Sequence, residues 1–122
     1  MVVGPTVLIV DDSASFRCSA RAVLDAEGFV VIGEAETGSA AVQAVDRLDP
    51  DVVLLDIVLP DIDGFEVCAR ITRPGVARPA VVLTSSRDAE DFLVRIAGSA
   101  ARGFLPKADL TGPSLAALAC PR

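Results

Sequence analysis

The sequence predicts an α/β fold, a doubly wound five-stranded parallel sheet with five helices, and three observations predict it. Five short apolar runs are separated by segments of helical spacing. The first, third and fourth runs are unbroken stretches rich in valine, isoleucine and leucine, as expected of strands buried on both faces. Carboxylate, hydroxyl and lysine residues stand directly after four of the runs, where an open α/β sheet places its ligand crevice.

The runs are Thr6–Val10, Val30–Glu34, Val52–Leu55, Ala80–Leu83 and Gly103–Leu105. After the first, Phe16, Ala20, Val23 and Leu24 form an apolar helical stripe, with Arg17, Arg21 and Asp25 on the opposite face. Ser13 suits the N-cap of this helix and Gly28 its stop. The second helix offers Ala41, Ala44, Val45 and Leu48 behind Gly38-Ser39 and ends before Asp49-Pro50. A third starts at Asp63, with Glu66 three residues on as a capping-box signature, and runs to about Arg73 before Pro74-Gly75. The fourth spans the region from Asp88 to Ala97 with Ala89, Phe92, Leu93 and Ile96 facing inward. The last is short, with Pro113 at a first helical position and Leu115, Leu118 and Ala119 as its stripe. Strand and helix alternate five times, and right-handed crossovers then limit the topology to a doubly wound sheet. Residues 1–122 read as one domain, expected to act as a stand-alone regulator.

Composition narrows the function. The 122 residues are 52% hydrophobic and 23% charged, an ordinary globular balance, and carry a net charge of −6. Ten arginines are scattered and Lys107 is the single lysine, so no basic cluster exists to grip nucleic acid or an anionic membrane. There is no histidine, and Cys18, Cys68 and Cys120 are widely spaced, which excludes the usual zinc sites, a Ser-His-Asp triad and a disulfide framework. The N-terminus lacks the pattern of a signal peptide, and no apolar run approaches the roughly 20 residues that span a bilayer. The expected location is the cytoplasm.

Asp11 and Asp12 follow the first run, Asp56 the third, Thr84, Ser85 and Ser86 the fourth, and Lys107 the fifth. Three carboxylates at one sheet edge cannot all stay ionised without compensation, which a divalent cation supplies and an ammonium group assists. Mg²⁺ suits such a set, because it takes oxygen ligands and keeps positions for water and phosphate oxygens. A carboxylate in that setting is equipped to accept a phosphoryl group. Asp56 is the candidate nucleophile, Lys107 and the cation stabilise charge on the transferred group, and Thr84 donates a hydrogen bond to it. An EF-hand reading of Asp61-Ile62-Asp63-Gly64 fails, since the loop would start at Leu59 and end at Arg70. Asp61 reads as a plain loop carboxylate.

The segments Val7-Leu8-Ile9-Val10-Asp11-Asp12, Asp56 through Gly64, Val81-Val82-Leu83-Thr84-Ser85 and Gly103-Phe104-Leu105-Pro106-Lys107, in that order and spacing, resemble the response-regulator receiver family over essentially the whole chain. The stretch from Gly103 to Leu118 is similar to receivers of LuxR/NarL-type regulators. The resemblance implies a flavodoxin-like sheet in strand order 2-1-3-4-5. It also implies Mg²⁺ on Asp12, Asp56 and the backbone carbonyl of Val58, with Asp11 acting mostly through water. The implied phosphate donor is a histidine kinase or histidine phosphotransfer protein. A switch is implied in which Thr84 and Phe104 move and remodel the face of the fourth helix, fifth strand and fifth helix, a face that can also carry a homodimer. Such a domain is not an enzyme acting on an external substrate; it promotes only its own phosphorylation and dephosphorylation. Val58 and Ser86 flank the place where the family tunes hydrolysis, and an apolar Val58 side chain, unable to orient water, implies slower dephosphorylation. Where many receivers follow the lysine with a proline, this chain has Ala108; a cis bond there costs about 2.5–4 kcal/mol, so Lys107–Ala108 is expected trans.

Three other readings compete. A pseudo-receiver would keep the fold and act only as a protein-interaction module. A haloacid-dehalogenase-type phosphatase also uses an aspartyl nucleophile but needs a second aspartate two residues on, where this chain has Val58. A flavin carrier lacks support, because Trp and Tyr are absent and no phosphate loop follows the first run.

Overall fold

The computed structural model describes residues 4–119, so Cys120 lies outside the described residues. Alternation is complete: β1 Thr6–Val10, α1 Ala14–Ala26, β2 Val30–Ala35, α2 Gly38–Leu48, β3 Val52–Asp56, α3 Gly64–Ile71, β4 Ala80–Ser85, α4 Leu93–Ala97, β5 Gly103–Pro106 and α5 Gly112–Ala119. Single 3₁₀ turns lie at Ala89–Asp91 and Lys107–Asp109. All strand pairs are parallel and the order is β2-β1-β3-β4-β5.

Side-chain alternation along the strands feeds two cores. Leu8, Val10, Val53, Leu55, Val81 and Leu83 face one way, onto Ala41 and Ala44 of α2 and Val67, Cys68 and Ile71 of α3. Val7, Ile9, Val52, Leu54, Ala80 and Val82 face the other, onto Ala20 and Leu24 of α1 and Leu115 and Ala119 of α5. β1, β3 and β4 lie between both layers, which is why, after Thr6 opens β1, their polar residues stand only at the carboxyl ends of β3 and β4. Each fully buried Leu, Ile or Val contributes about 1.5–3 kcal/mol.

The helix starts follow local hydrogen bonding. Ser13, Thr37 and Asp63 occupy N-caps, and their side chains accept from the N–H groups of Phe16, Ala40 and Glu66. Glu66 does not complete a capping box; its carboxylate holds Arg70 at 2.9 Å. α3 ends at Ile71, two residues short of Arg73, where the Thr72 hydroxyl bonds back to the Cys68 carbonyl. Gly28, at φ 95, reverses the chain after α1. Lys107–Ala108 is trans, since Arg78–Pro79 is the one cis bond among the described residues.

Expectations about the helix faces also need correction. The fourth helix is not continuous: a 3₁₀ turn precedes a five-residue α4, and Leu93 is 59% exposed while Phe92 and Ile96 pack inward. So short a helix cannot bring four apolar positions to one face. Val23 of α1 is also exposed, while Phe16, Ala20 and Leu24 of the same stripe pack into the core.

Two features fix the loop between β3 and α3. Gly64 lets α3 begin against the backbone of β3's end; a Cβ there would fall 2.8 Å from Ile57 Cα and closer still to the Asp56 carbonyl oxygen. Asp61, read from sequence as a plain loop carboxylate, caps α2 from across the fold. Its oxygens accept from the N–H groups of Gly38 (2.7 Å) and Ser39 (2.9 Å) and from the Ser39 hydroxyl (2.8 Å). The Ser39 donors first, then the Gly38 N–H, hold the Asp61 carboxyl far below the usual carboxylate range.

Gly64→Ala is expected to cost about 1–3 kcal/mol by overpacking, read from urea unfolding; an unchanged midpoint would contradict the close approach. Asp61→Ala is expected to lower the urea midpoint at neutral pH. Because the folded carboxyl titrates below its unfolded value of about 4, this contribution is full above that value and fades as pH falls below it. A gap between variant and wild type that ignores pH would contradict the cap.

Candidate functional site

Strand parity and register bring the polar residues together. Asp11 comes one residue after Val10, which pairs with Leu55; Asp56 pairs with Thr84; and Ser85 pairs with Pro106, so Lys107 follows. By alternation Asp11, Asp56 and Thr84 continue the α1/α5 side of the sheet, beyond the last apolar residues of that layer. Asp11 and Thr84 are almost fully buried and Asp56 is 4% exposed, while Asp12 is exposed at the rim. One carboxylate oxygen from each of Asp11, Asp12 and Asp56 lies within 4.8 Å of the others.

Lys107 closes this group. Its Nζ stands 2.7 Å from Asp11 Oδ2 and 3.2 Å from Asp56 Oδ2. The Asp56 pair is an aligned hydrogen bond; the Asp11 pair is a charge contact, which leaves Asp11 Oδ2 without a hydrogen-bond partner. The same ammonium sits 4.7 Å from the centre of the Phe16 ring, a cation–π contact that shelters it from water. Burial acts against the Lys107 charge, but the two carboxylates outweigh it and hold the ammonium pKa above the usual lysine value.

Asp11 Oδ1 accepts the Ser13 N–H at 2.9 Å, and the Asp11 N–H donates to the Ala35 carbonyl at 3.0 Å. Asp56 Oδ1 accepts the Val58 N–H at 3.2 Å, leaving the Val58 side chain 54% exposed beside the site. Burial first, then the Asp11 charge, pushes the Asp56 carboxyl up, against the pull of Lys107 and the Val58 N–H. Thr84 Oγ1 is buried without a hydrogen-bond partner, an orphan donor adjoining Asp56.

The sequence-derived set is therefore assembled: Asp11, Asp12, Asp56, Thr84 and Lys107 converge at the carboxyl ends of β1, β3, β4 and β5. Phe104 stands apart, half-buried on the other face of β5 and packed against the α2/α3 core. Ser86 is exposed just past β4. The sequence reading missed Arg17, placed on the solvent face of α1. Arg17 instead leans over β2, with Nε on Glu34 at 2.9 Å and Nη1 on the Asp11 carbonyl at 2.6 Å. The signal was Glu34 itself, a charge at the end of an apolar strand.

The model of the response regulator receiver domain matches residues 7–112. The chain belongs to the response-regulator receiver family. The receiver superposes on the signal receiver domain of the NarL response regulator of Mycobacterium tuberculosis over 98% of both chains, with a TM-score of 0.85 at 30% identity. It is 40% identical over 99 residues to the transcriptional regulatory protein TcrA of Mycobacterium tuberculosis, covering 81% of this chain and 39% of that one. It is 41% identical over 96 residues to the DNA-binding response regulator MtrA of Mycolicibacterium paratuberculosis, covering 77% of this chain and 41% of that one. The receiver thus spans less than half the length of these curated relatives. No helix among the described residues is long and apolar enough to cross a membrane.

Asp56→Asn is expected to make the protein more stable in EDTA at neutral pH. A raised carboxyl pKa means that ionising Asp56 opposes folding; the penalty is full above the folded value and vanishes as pH falls below the unfolded one. Lys107 keeps Asp11 as a partner, so the variant strands no cation. Equal urea midpoints for the two proteins at pH 7 would contradict this electrostatic reading.

Proposed function

We propose that this receiver accepts a phosphoryl group on Asp56 from a phosphohistidine of a histidine kinase or phosphotransfer protein, with Mg²⁺ held by Asp12, Asp56 and the Val58 carbonyl and Asp11 acting mostly through water. The observation that carries this reading is the meeting of three carboxylates, the single lysine and an unpartnered buried hydroxyl in one crevice. The donor set is all oxygen and strongly anionic, which fits a hard divalent cation. Bound there, Mg²⁺ would offset negative charge on the phosphoryl oxygens.

Asp56 supplies the nucleophile. One of its oxygens forms a bond to phosphorus while the N–P bond of the donor breaks, and the electron pair returns to the imidazole, which takes up a proton. The product is an acyl phosphate on Asp56. The Val58 N–H orients the carboxylate by holding Oδ1. Lys107, 3.2 Å from Oδ2, is within reach of the transferred oxygens and meets their charge. Thr84 has a free donor to offer the same group. These 122 residues contain no histidine, so the donor histidine lies outside them.

Occupation of Thr84 by the phosphoryl group would bias a second conformation. Leu83, the residue before Thr84, pairs with Phe104 across β4 and β5, so a shift at Thr84 would reach Phe104 through the strand backbone, from one face of the sheet to the other. Phe104 turning inward then reshapes the face of α4, β5 and α5, which serves as the output or homodimer surface. Among the described residues, α4 is the one α-helix with no buried residue, a property of elements that rearrange at low cost. Resemblance to MtrA and TcrA supports a transcriptional output, and the setting is the cytoplasm, where such kinases act. A module that only binds protein needs neither the acidic set nor the orphan hydroxyl, and nothing in the site favours that reading.

Incubation with acetyl phosphate and Mg²⁺ is expected to add one phosphoryl group by intact mass, and none in EDTA or in Asp56→Asn. Equal labelling of Asp56→Asn would overturn the assignment.

A further inference from the structure

Arg17 makes two ties at once from a largely buried position. Its Nε meets Glu34 Oε1 at 2.9 Å, its Nη1 donates to the Asp11 carbonyl at 2.6 Å, and its side chain is only 15% exposed. Glu34 is itself held from the other side by Arg21, whose Nε meets Oε2 at 2.8 Å. Both carboxylate oxygens are thus fixed by guanidinium groups, Arg21 first and Arg17 after it, and the Glu34 carboxyl is held below its ordinary value.

The Asp11 carbonyl belongs to the Asp11–Asp12 peptide. Its plane sets the direction in which the Asp12 carboxylate leaves the backbone. Asp11 has its own anchors: the N–H on Ala35, Oδ1 on the Ser13 N–H and Oδ2 beside Lys107. Asp12 is exposed, and no side-chain hydrogen bond of its own holds it among the described residues. The carbonyl-to-Arg17 bond is what restrains the peptide on its outer side.

We propose that Arg17, braced by Glu34, is a positioning residue that fixes the Asp11–Asp12 peptide and so orients the Asp12 carboxylate for the divalent cation. The inference rests on the Mg²⁺ reading above. Only a forked guanidinium can hold a carboxylate and a carbonyl together in this way; a lysine offers a single charged point. The Glu34 partner also matters for charge, since a bare guanidinium near an acidic metal site would compete with the cation.

Positioning and electrostatics make opposite forecasts. Removing a positive charge near the site tightens cation binding on Coulombic grounds, whereas loss of the peptide's orientation weakens it. The test is calorimetric titration of MgCl₂ into the EDTA-stripped protein, wild type against Arg17→Met, which keeps the packed stem and drops every donor. Weaker binding by about tenfold is expected, the scale typical of residues that orient metal ligands. Arg17→Lys, with charge kept but the planar fork of donors reduced to one nitrogen, is expected to fall between. Amide shifts of Asp12 and Ser13 in the metal-free protein are expected to move in Arg17→Met.

Binding in Arg17→Met as tight as wild type, or tighter, would overturn the proposal and leave Arg17 a merely structural strap. Should that variant not fold, Glu34→Gln serves: its loss of affinity is expected to persist in roughly 0.5 M salt, where exposed charges are screened, and a loss abolished by salt would overturn positioning. A wild type that takes up no Mg²⁺ would defeat the metal reading itself, an outcome separate from failure of the strap alone.

Discussion

Two buried carboxylates share one ammonium, and the site is built around that imbalance. Like charges about 4 Å apart repel by roughly 4 kcal/mol at the effective dielectric of a protein rim. Asp11 and Asp56 can sit together only because Lys107 lies between them, at 2.7 and 3.2 Å. Asp12 at the rim adds a third negative charge that Lys107 does not touch. The crevice is left electrically incomplete, and that deficit is what the proposed divalent cation and phosphoryl group would answer.

The sheet makes the imbalance possible to sustain. β1, β3 and β4 are buried on both faces, so their carboxyl ends are held by two cores rather than one. Gly64 allows α3 to press on the backbone of the Asp56 segment, and Asp61 ties the same loop to the start of α2. The acidic side is therefore stiff. The opposite flank differs: α4 is short, presents Leu93 and Val94 to solvent, and is tied to α3 by the Arg95–Asp63 ion pair at 2.7 Å, Arg95 over Phe65 and the Phe65–Phe92 aromatic pair. A rigid chemical end and a loosely held flank suit a switch.

Much of this was legible in the sequence. Strand identity followed from unbroken Val, Ile and Leu runs, which only a sheet buried on both sides tolerates, and the site followed from reading the residues after each run. Ser13 and Asp63 announced their helices by local capping chemistry. What escaped the sequence was non-local. Asp61 caps a helix that begins 23 residues earlier in the chain, and no periodicity records that bond. Arg17 was assigned to solvent by its helical angle, but its long side chain reaches β2 and the Asp11 carbonyl. The break before α4 was missed because Ala89, Phe92, Leu93 and Ile96 have helical spacing, and only tertiary packing decides that Leu93 stays outside.

The most direct measurement is paramagnetic: substoichiometric Mn²⁺ added to ¹⁵N-labelled protein, followed by amide line broadening. A cation held by the acidic crevice broadens the amides of Asp11 to Ser13 and Asp56 to Val58 first, with Thr84 and Lys107 next. Broadening centred elsewhere, such as around Asp88 to Asp91, or spread evenly over the acidic surface, would contradict a metal-binding crevice at the carboxyl ends of the strands.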